Sequence, residues 1–111
     1  MIISIKIDCE DEENGFTLSG FLTACKILEK AGVDNIEVTG MTAFKSKNKP
    51  PVFFEKTKKL AETVKIPVTC ISGIKTYEAA DFAIKNSNIE YISMVRALMK
   101  EPDLVKKWNQ K

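Results

Sequence analysis

Short apolar runs alternate with stretches of helical periodicity along the whole chain, and this alternation constrains the fold more than any other feature. The first run, Ile2 to Asp8, is rich in isoleucine and lacks a helical period. After a polar loop, Thr17 is placed to cap a helix from Leu18 to about Ala31. Its apolar positions Leu18, Phe21, Leu22, Cys25 and Leu28 follow the i, i+3, i+4, i+7 spacing of one helix face. Gly32 stops that helix, because glycine takes up the left-handed cap conformation at little cost. Asn35 to Val38 predicts a second strand. The stretch Met41 to Pro51, with its lysines and prolines, predicts a long loop, and Pro51 fits the first turn of a helix running to about Val64. Ile66 to Ile71 is a third strand, Thr76 caps a helix from Tyr77 to about Lys85, and Ile89 to Val95 is a fourth strand. A short helix, Arg96 to Lys100, precedes a last one that starts at Pro102 and runs through Trp108. Strands separated by helices of this length imply right-handed βαβ units and a parallel sheet, so the expected class is α/β with four parallel βα units in a single domain.

Composition narrows the function. Seventeen basic and fifteen acidic residues leave a net charge of +2, which argues against nucleic acid as the main partner. The lysines between Lys45 and Lys59 read as a solvated face. There is no histidine, and the three cysteines, Cys9, Cys25 and Cys70, have no metal-ligand spacing, so no metal site is expected. Cys25 and Cys70 sit among apolar residues and read as small core side chains, and free thiols suit a reducing cytoplasm. No apolar run approaches the ~20 residues that cross a bilayer, so no membrane partner is expected.

In parallel α/β folds, ligands gather where the strands end. Those ends here are Lys6-Ile7-Asp8, Val38-Thr39-Gly40, Ile71-Ser72-Gly73 and Met94-Val95-Arg96. Glycine lets backbone N–H groups approach a phosphate, and arginine adds donors. Gly40 and Gly73 also suit plain tight turns, and Arg96 also suits a pairing with a surface carboxylate. Lys6 alternates with Ile5 and Ile7, so it faces either the mouth of a barrel or solvent.

Two segments carry a family likeness. One runs Ile66-Pro67-Val68, then Ile71-Ser72-Gly73-Ile74-Lys75-Thr76, then Glu90 through Leu104 with its Val95-Arg96-Ala97-Leu98 and Glu101-Pro102-Asp103-Leu104. The other runs Gly15-Phe16-Thr17-Leu18, then Leu28 through Gly40. Together they resemble the end of the NADH:flavin oxidoreductase (old yellow enzyme) family, over nearly the whole chain and in order. The stretch Met41 to Pro50 matches poorly. The resemblance implies the C-terminal half of a TIM (β/α)8 barrel, strands five to eight, with FMN at the strand ends. Lys6 then matches the basic residue near the flavin pyrimidine edge, Ser72 and Gly73 a glycine pair at the phosphate, and Val95 and Arg96 a Gly-Arg pair. Gly40 ends the second matching segment and joins the cofactor-binding set. Ser72 and Val95 depart from glycine, and the valine side chain crowds its backbone N–H. No catalytic residue carries over, because the family's substrate-binding and proton-donating residues belong to the missing half.

The chain is far shorter than the ~250 residues of a complete barrel. Four βα units leave two open sheet edges, which invite association. A homodimer closing around a twofold axis and a separate N-terminal half-barrel are both expected partners. On this reading the chain is an enzyme only when completed, using NAD(P)H and a small-molecule acceptor. The competing readings are a non-catalytic phosphate-binding or self-associating half-barrel, and another phosphate-binding barrel enzyme.

Overall fold

The computed structural model describes residues 1–9, 15, 17–39, 53–71 and 74–110. Their elements are β1 (Ser4–Asp8), α1 (Leu18–Lys30), β2 (Asn35–Thr39), α2 (Phe54–Thr63), β3 (Val68–Cys70), α3 (Tyr77–Lys85), β4 (Tyr91–Ile92), α4 (Arg96–Lys100) and α5 (Leu104–Trp108). The sheet order is β1-β2-β3-β4, and all three neighbouring pairs are parallel. Each right-handed crossover therefore steps one strand in the same direction, which puts the helices on one face. A doubly wound sheet would reverse direction at its switch point. The chain is an α/β half-barrel of four βα units.

Alternation along the strands sorts the two faces. Ile36 and Val38 of β2 and Val68 and Cys70 of β3 are buried in one cluster with Phe21 and Cys25 of α1, Phe54, Leu60 and Ala61 of α2, and Ala83 of α3. Ile5 and Ile7 of β1 and Ile92 of β4 pack at its margin. Burying a side chain such as Phe21 or Leu60 stabilises by ~2 kcal/mol, so this layer holds the helices to the sheet. The other face is polar. Register sets Lys6 beside Glu37, Glu37 beside Thr69, and Thr69 beside Tyr91. One residue pair earlier, the Asn35 amide donates to the Ser4 hydroxyl at 2.8 Å and accepts from the Thr69 hydroxyl at 3.0 Å, tying three strands together.

The helix signals act as their chemistry dictates. The Thr17 and Thr76 hydroxyls accept the N–H groups of Gly20 and Ala79, both at 3.1 Å. Gly32 has φ 103°, and the N–H groups of Gly32 and Val33 return to the carbonyls of Glu29 and Leu28. That pair of bonds closes α1 with a Schellman cap. Cys9 is fully buried along with Cys25 and Cys70.

Element boundaries differ from the sequence expectation at the edges. β4 spans Tyr91–Ile92 rather than Ile89 to Val95, because its sole neighbour among the described strands, β3, is three residues long. Hydrogen bonds from the Glu90 and Ser93 N–H groups extend the ladder one step at each end. β1 starts at Ser4 instead of Ile2, since its register with β2 begins at the Ser4–Asn35 pair. α5 starts at Leu104, after a turn at Pro102 and Asp103. The expected loop from Met41 to Pro51, and Pro51 itself, lie outside the described residues.

Candidate functional site

Parallel register puts the last residues of the four strands, Asp8, Thr39, Cys70 and Ile92, along one edge of the sheet. The chain passes from that edge to α3 between two buried anchors, Ile71 and Ile74, and then presents exposed Lys75 immediately before the Thr76 cap. From β4 it passes through Ser93 and Met94 to Val95 and to Arg96, the first residue of α4. The loops after two neighbouring parallel strands thus emerge side by side. In (β/α)8 barrels the loops after the last two strands are the recurrent phosphate-binding position.

A cavity of about 380 Å³ lies between these two loops. Its charged lining is Lys75, Arg96, Lys100 and Glu101. Ala97, Met99 and Leu104 give it an apolar wall. Three cations face one carboxylate, and that carboxylate is held by the Lys107 ammonium, which also lies 3.7 Å from Asp103. The neighbouring acids push the Lys107 ammonium above its ordinary range, first through the hydrogen bond to Glu101 and then through the charge of Asp103.

Of the residues singled out from sequence, Arg96 lines this cavity. Val95 flanks it with an exposed, branched side chain and is not among the lining residues. Lys6 is exposed on the polar sheet face beside Glu37, away from the cavity lining. Gly40, Ser72 and Gly73 lie outside the described residues. Sequence reasoning missed Lys75 and Lys100. A signal for Lys100 was present: it follows Arg96 by four residues on one helix, and that spacing puts two side chains on one face.

Among the described residues, no group of three His, Cys, Asp or Glu side chains could hold a metal ion, and no helix is long and apolar enough to cross a membrane. A phosphate with roughly two negative charges suits the donor set of the cavity, because all three of its nitrogen-bearing side chains are cationic.

The family model for dihydrouridine synthase (Dus) matches residues 2–111. The chain belongs to the dihydrouridine synthase family. That family comprises FMN-binding TIM barrels related to the flavin oxidoreductases, which agrees with four parallel βα units and with a cation-lined cavity at the strand ends. The chain is also similar to two curated reductases. It is 33% identical over 104 residues to the bilirubin reductase of Mediterraneibacter gnavus (strain CC55_001C), a match covering 86% of this chain and 16% of that protein. It is 30% identical over 89 residues to the metal reductase of Desulforamulus reducens (strain ATCC BAA-1160 / DSM 100696 / MI-1), covering 75% of this chain and 13% of that protein. The chain spans less than a fifth of the length of either relative.

Proposed function

We propose that this chain is the phosphate-holding half of an FMN-dependent NAD(P)H oxidoreductase barrel of the old yellow enzyme type, incomplete as a catalyst by itself. The observation that carries the reading is the cavity between the loops after β3 and β4, with Lys75, Arg96 and Lys100 in its wall. The reductase names of two relatives support a redox role, and the Glu101-Pro102-Asp103-Leu104 tail supports the old yellow enzyme likeness.

Arg96, Lys75 and Lys100 would hold the phosphate of FMN, and when bound the flavin supplies the hydride chemistry between NAD(P)H and a small-molecule acceptor. Lys6, on the face that a closed barrel turns inward, would offer a cation toward the flavin ring edge, with Glu37 beside it fixing its position. The described residues at the strand ends hold Asp8 but no histidine to orient a substrate, so those duties fall to the half that completes the barrel. The polar row Lys6, Glu37, Thr69 and Tyr91 lies on the sheet face opposite the core cluster, the face that a closed barrel turns inward, and a second half-barrel, from another copy or a separate chain, would complete that closure.

The test is a titration of the purified chain with FMN, followed by flavin fluorescence and by absorbance in the flavin bands, with molecular mass in solution read on the same sample. Saturable binding, weakened at least tenfold by Arg96→Ala, is the expected result. A chain that binds neither added FMN nor its own flavin as a monomer or a dimer overturns the reading. Binding of inorganic phosphate without any binding of FMN would favour the non-catalytic half-barrel module instead.

A further inference from the structure

The two ends of the sheet are uncovered in complementary ways. A right-handed βαβ unit lays its helix over its own strand and the next one. α2, which follows β2, packs against β3 in this manner. α4 and α5 follow β4, and among the described residues β4 has no further strand beside it. Neither helix has a buried residue, and Met99 and Val105 expose their apolar side chains. The β1 end shows the converse. Ile36 and Val38 of β2 are buried, whereas Ile5 and Ile7, on the same face of β1, are half-buried, and Ile3, one strand period earlier, is exposed. Among the described residues, the central β2, α2 and β3 expose no large apolar side chain. One end therefore offers apolar helices that need a strand, and the other an apolar strand that needs a helix.

The backbone repeats the pattern. The Ile3 carbonyl accepts from the Asp34 N–H, and the Cys9 N–H donates to the Thr39 carbonyl, so these odd-numbered residues turn their polar groups toward β2. Successive residues of a strand alternate, so the N–H and C=O groups of Ser4 and Lys6 point to the open edge. We propose that a second copy of this chain covers both ends, with β4 of each copy pairing in parallel with β1 of the other to close a barrel. A twofold axis along the barrel keeps all strands parallel and makes the two junctions the same contact, so no edge stays open for a third copy. Eight strands, four from each copy, are also the number whose inward side chains just fill the interior. At each junction Met99 and Val105 of one copy lie over Ile3, Ile5 and Ile7 of the other. The exposed area agrees. The chain exposes 7411 Å², about 1,300 Å² more than the ~6,100 Å² of a folded monomer of its mass. Two copies therefore have roughly 2,600 Å² to hide, the size of an obligate homodimer interface. Each rim then combines Asp8 of one copy with the loop after β4 of the other, so a ligand site there is built from both. The inference rests on the barrel closure in the functional reading, names the partner, and needs no flavin.

The experiment measures the mass of the purified chain by light scattering and sedimentation over a range of concentrations, with no flavin added. Twice the mass of the chain, with no larger species, is the expected result. Val105→Glu changes a side chain exposed in the single chain and buried at the junction. It should weaken the dimer about tenfold or more and leave the circular dichroism unchanged. Lys6→Pro removes an N–H from the open edge while sparing the bonds to β2, and it should weaken the dimer as well. Amide hydrogen exchange identifies the contact. The Lys6 N–H should exchange about a hundredfold more slowly in the wild-type dimer than in the Val105→Glu monomer, because β4 of the other copy accepts it. A chain that stays monomeric overturns the proposal and leaves a separate half-barrel as the occupant. Open-ended larger assemblies overturn it, and so does a dimer whose Lys6 N–H exchanges as fast as in the monomer. FMN bound by a monomer upholds the flavin reading and removes the second copy. A flavin-free dimer with a protected Lys6 N–H upholds the second copy even where FMN fails to bind.

Discussion

The carboxylate of Glu29 accepts the backbone N–H of Lys65 at 2.6 Å. The same oxygen accepts the next N–H, that of Ile66, at 3.1 Å. Glu29 sits in the last turns of α1, and Lys65 and Ile66 bring the chain from α2 into β3, so one acid fastens two βα units at the edge of the sheet opposite the cavity. The Lys65 bond is exposed, but leaving the partly buried Ile66 N–H without an acceptor costs ~1–3 kcal/mol. Glu29→Ala should therefore lower the unfolding free energy by about 2 kcal/mol in urea denaturation. Glu29→Gln, which keeps one acceptor oxygen, should lose less than half of that. An alanine variant as stable as wild type would remove this tie from the account.

Gly32 provides a second test of local structure. Its φ of 103° lies where a side chain is strained, although a Cβ built there would meet nothing within 4 Å. Any cost of Gly32→Ala is therefore conformational and not steric against neighbours. A loss of ~1 kcal/mol is expected, with the helical signal of α1 otherwise preserved. A gain in stability, as found where Gly→Ala merely stiffens the unfolded chain, would show that the cap has another conformation in solution.

The fold was legible where periodicity and capping chemistry agreed. Thr17, Thr76 and Gly32 are local signals, and each acts within four residues, so sequence alone suffices to place them. The strand order was legible for the same reason: short right-handed crossovers leave few alternatives. The strand ends were not. Whether Ile89 and Val95 belong to β4 depends on how far β3 runs beside them, which is a fact about a neighbour distant in sequence. The site was half legible. Arg96 was found because it opens the segment after a strand, whereas Lys75 and Lys100 meet only when two loops are brought together. Cys9 sits in a polar sequence context beside Glu10 and Asp11, yet it is fully buried in the core cluster, and its N–H continues the β1–β2 ladder to the Thr39 carbonyl at 2.7 Å.

The Lys6–Glu37 register pair is a test of the polar sheet face. Opposite charges side by side on neighbouring strands contribute ~0.2–1 kcal/mol, and like charges there are unfavourable. Lys6→Glu should destabilise the chain by about 1 kcal/mol, and adding Glu37→Lys should restore most of the loss. Thermal melts at low and high salt check this, because screening should shrink the difference. A double variant no more stable than Lys6→Glu would mean that the two side chains do not interact.

Buried thiols predict a particular alkaline response. Burial pushes the Cys25 thiol from its ordinary 9.0 up to about 11. Burial does the same for Cys70, also to about 11, opposed by a hydrogen bond with Thr57. A thiol is neutral when protonated, so raising its pKa means that the folded state holds its proton more tightly than the unfolded state. Below pH 9 both states keep the proton and the thiols add no pH dependence. Between about pH 9 and 11 the unfolded chain releases protons that the folded chain retains, so stability falls as pH rises, by roughly 2 kcal/mol for each thiol across the window. Denaturant midpoints measured from pH 8 to 11 should decline in this window, and Cys70→Ala should start lower, from the lost packing, but decline less steeply. A slope unchanged by Cys70→Ala would show that this thiol ionises as readily in the folded chain as in the unfolded one, and that its side of the sheet is open to water.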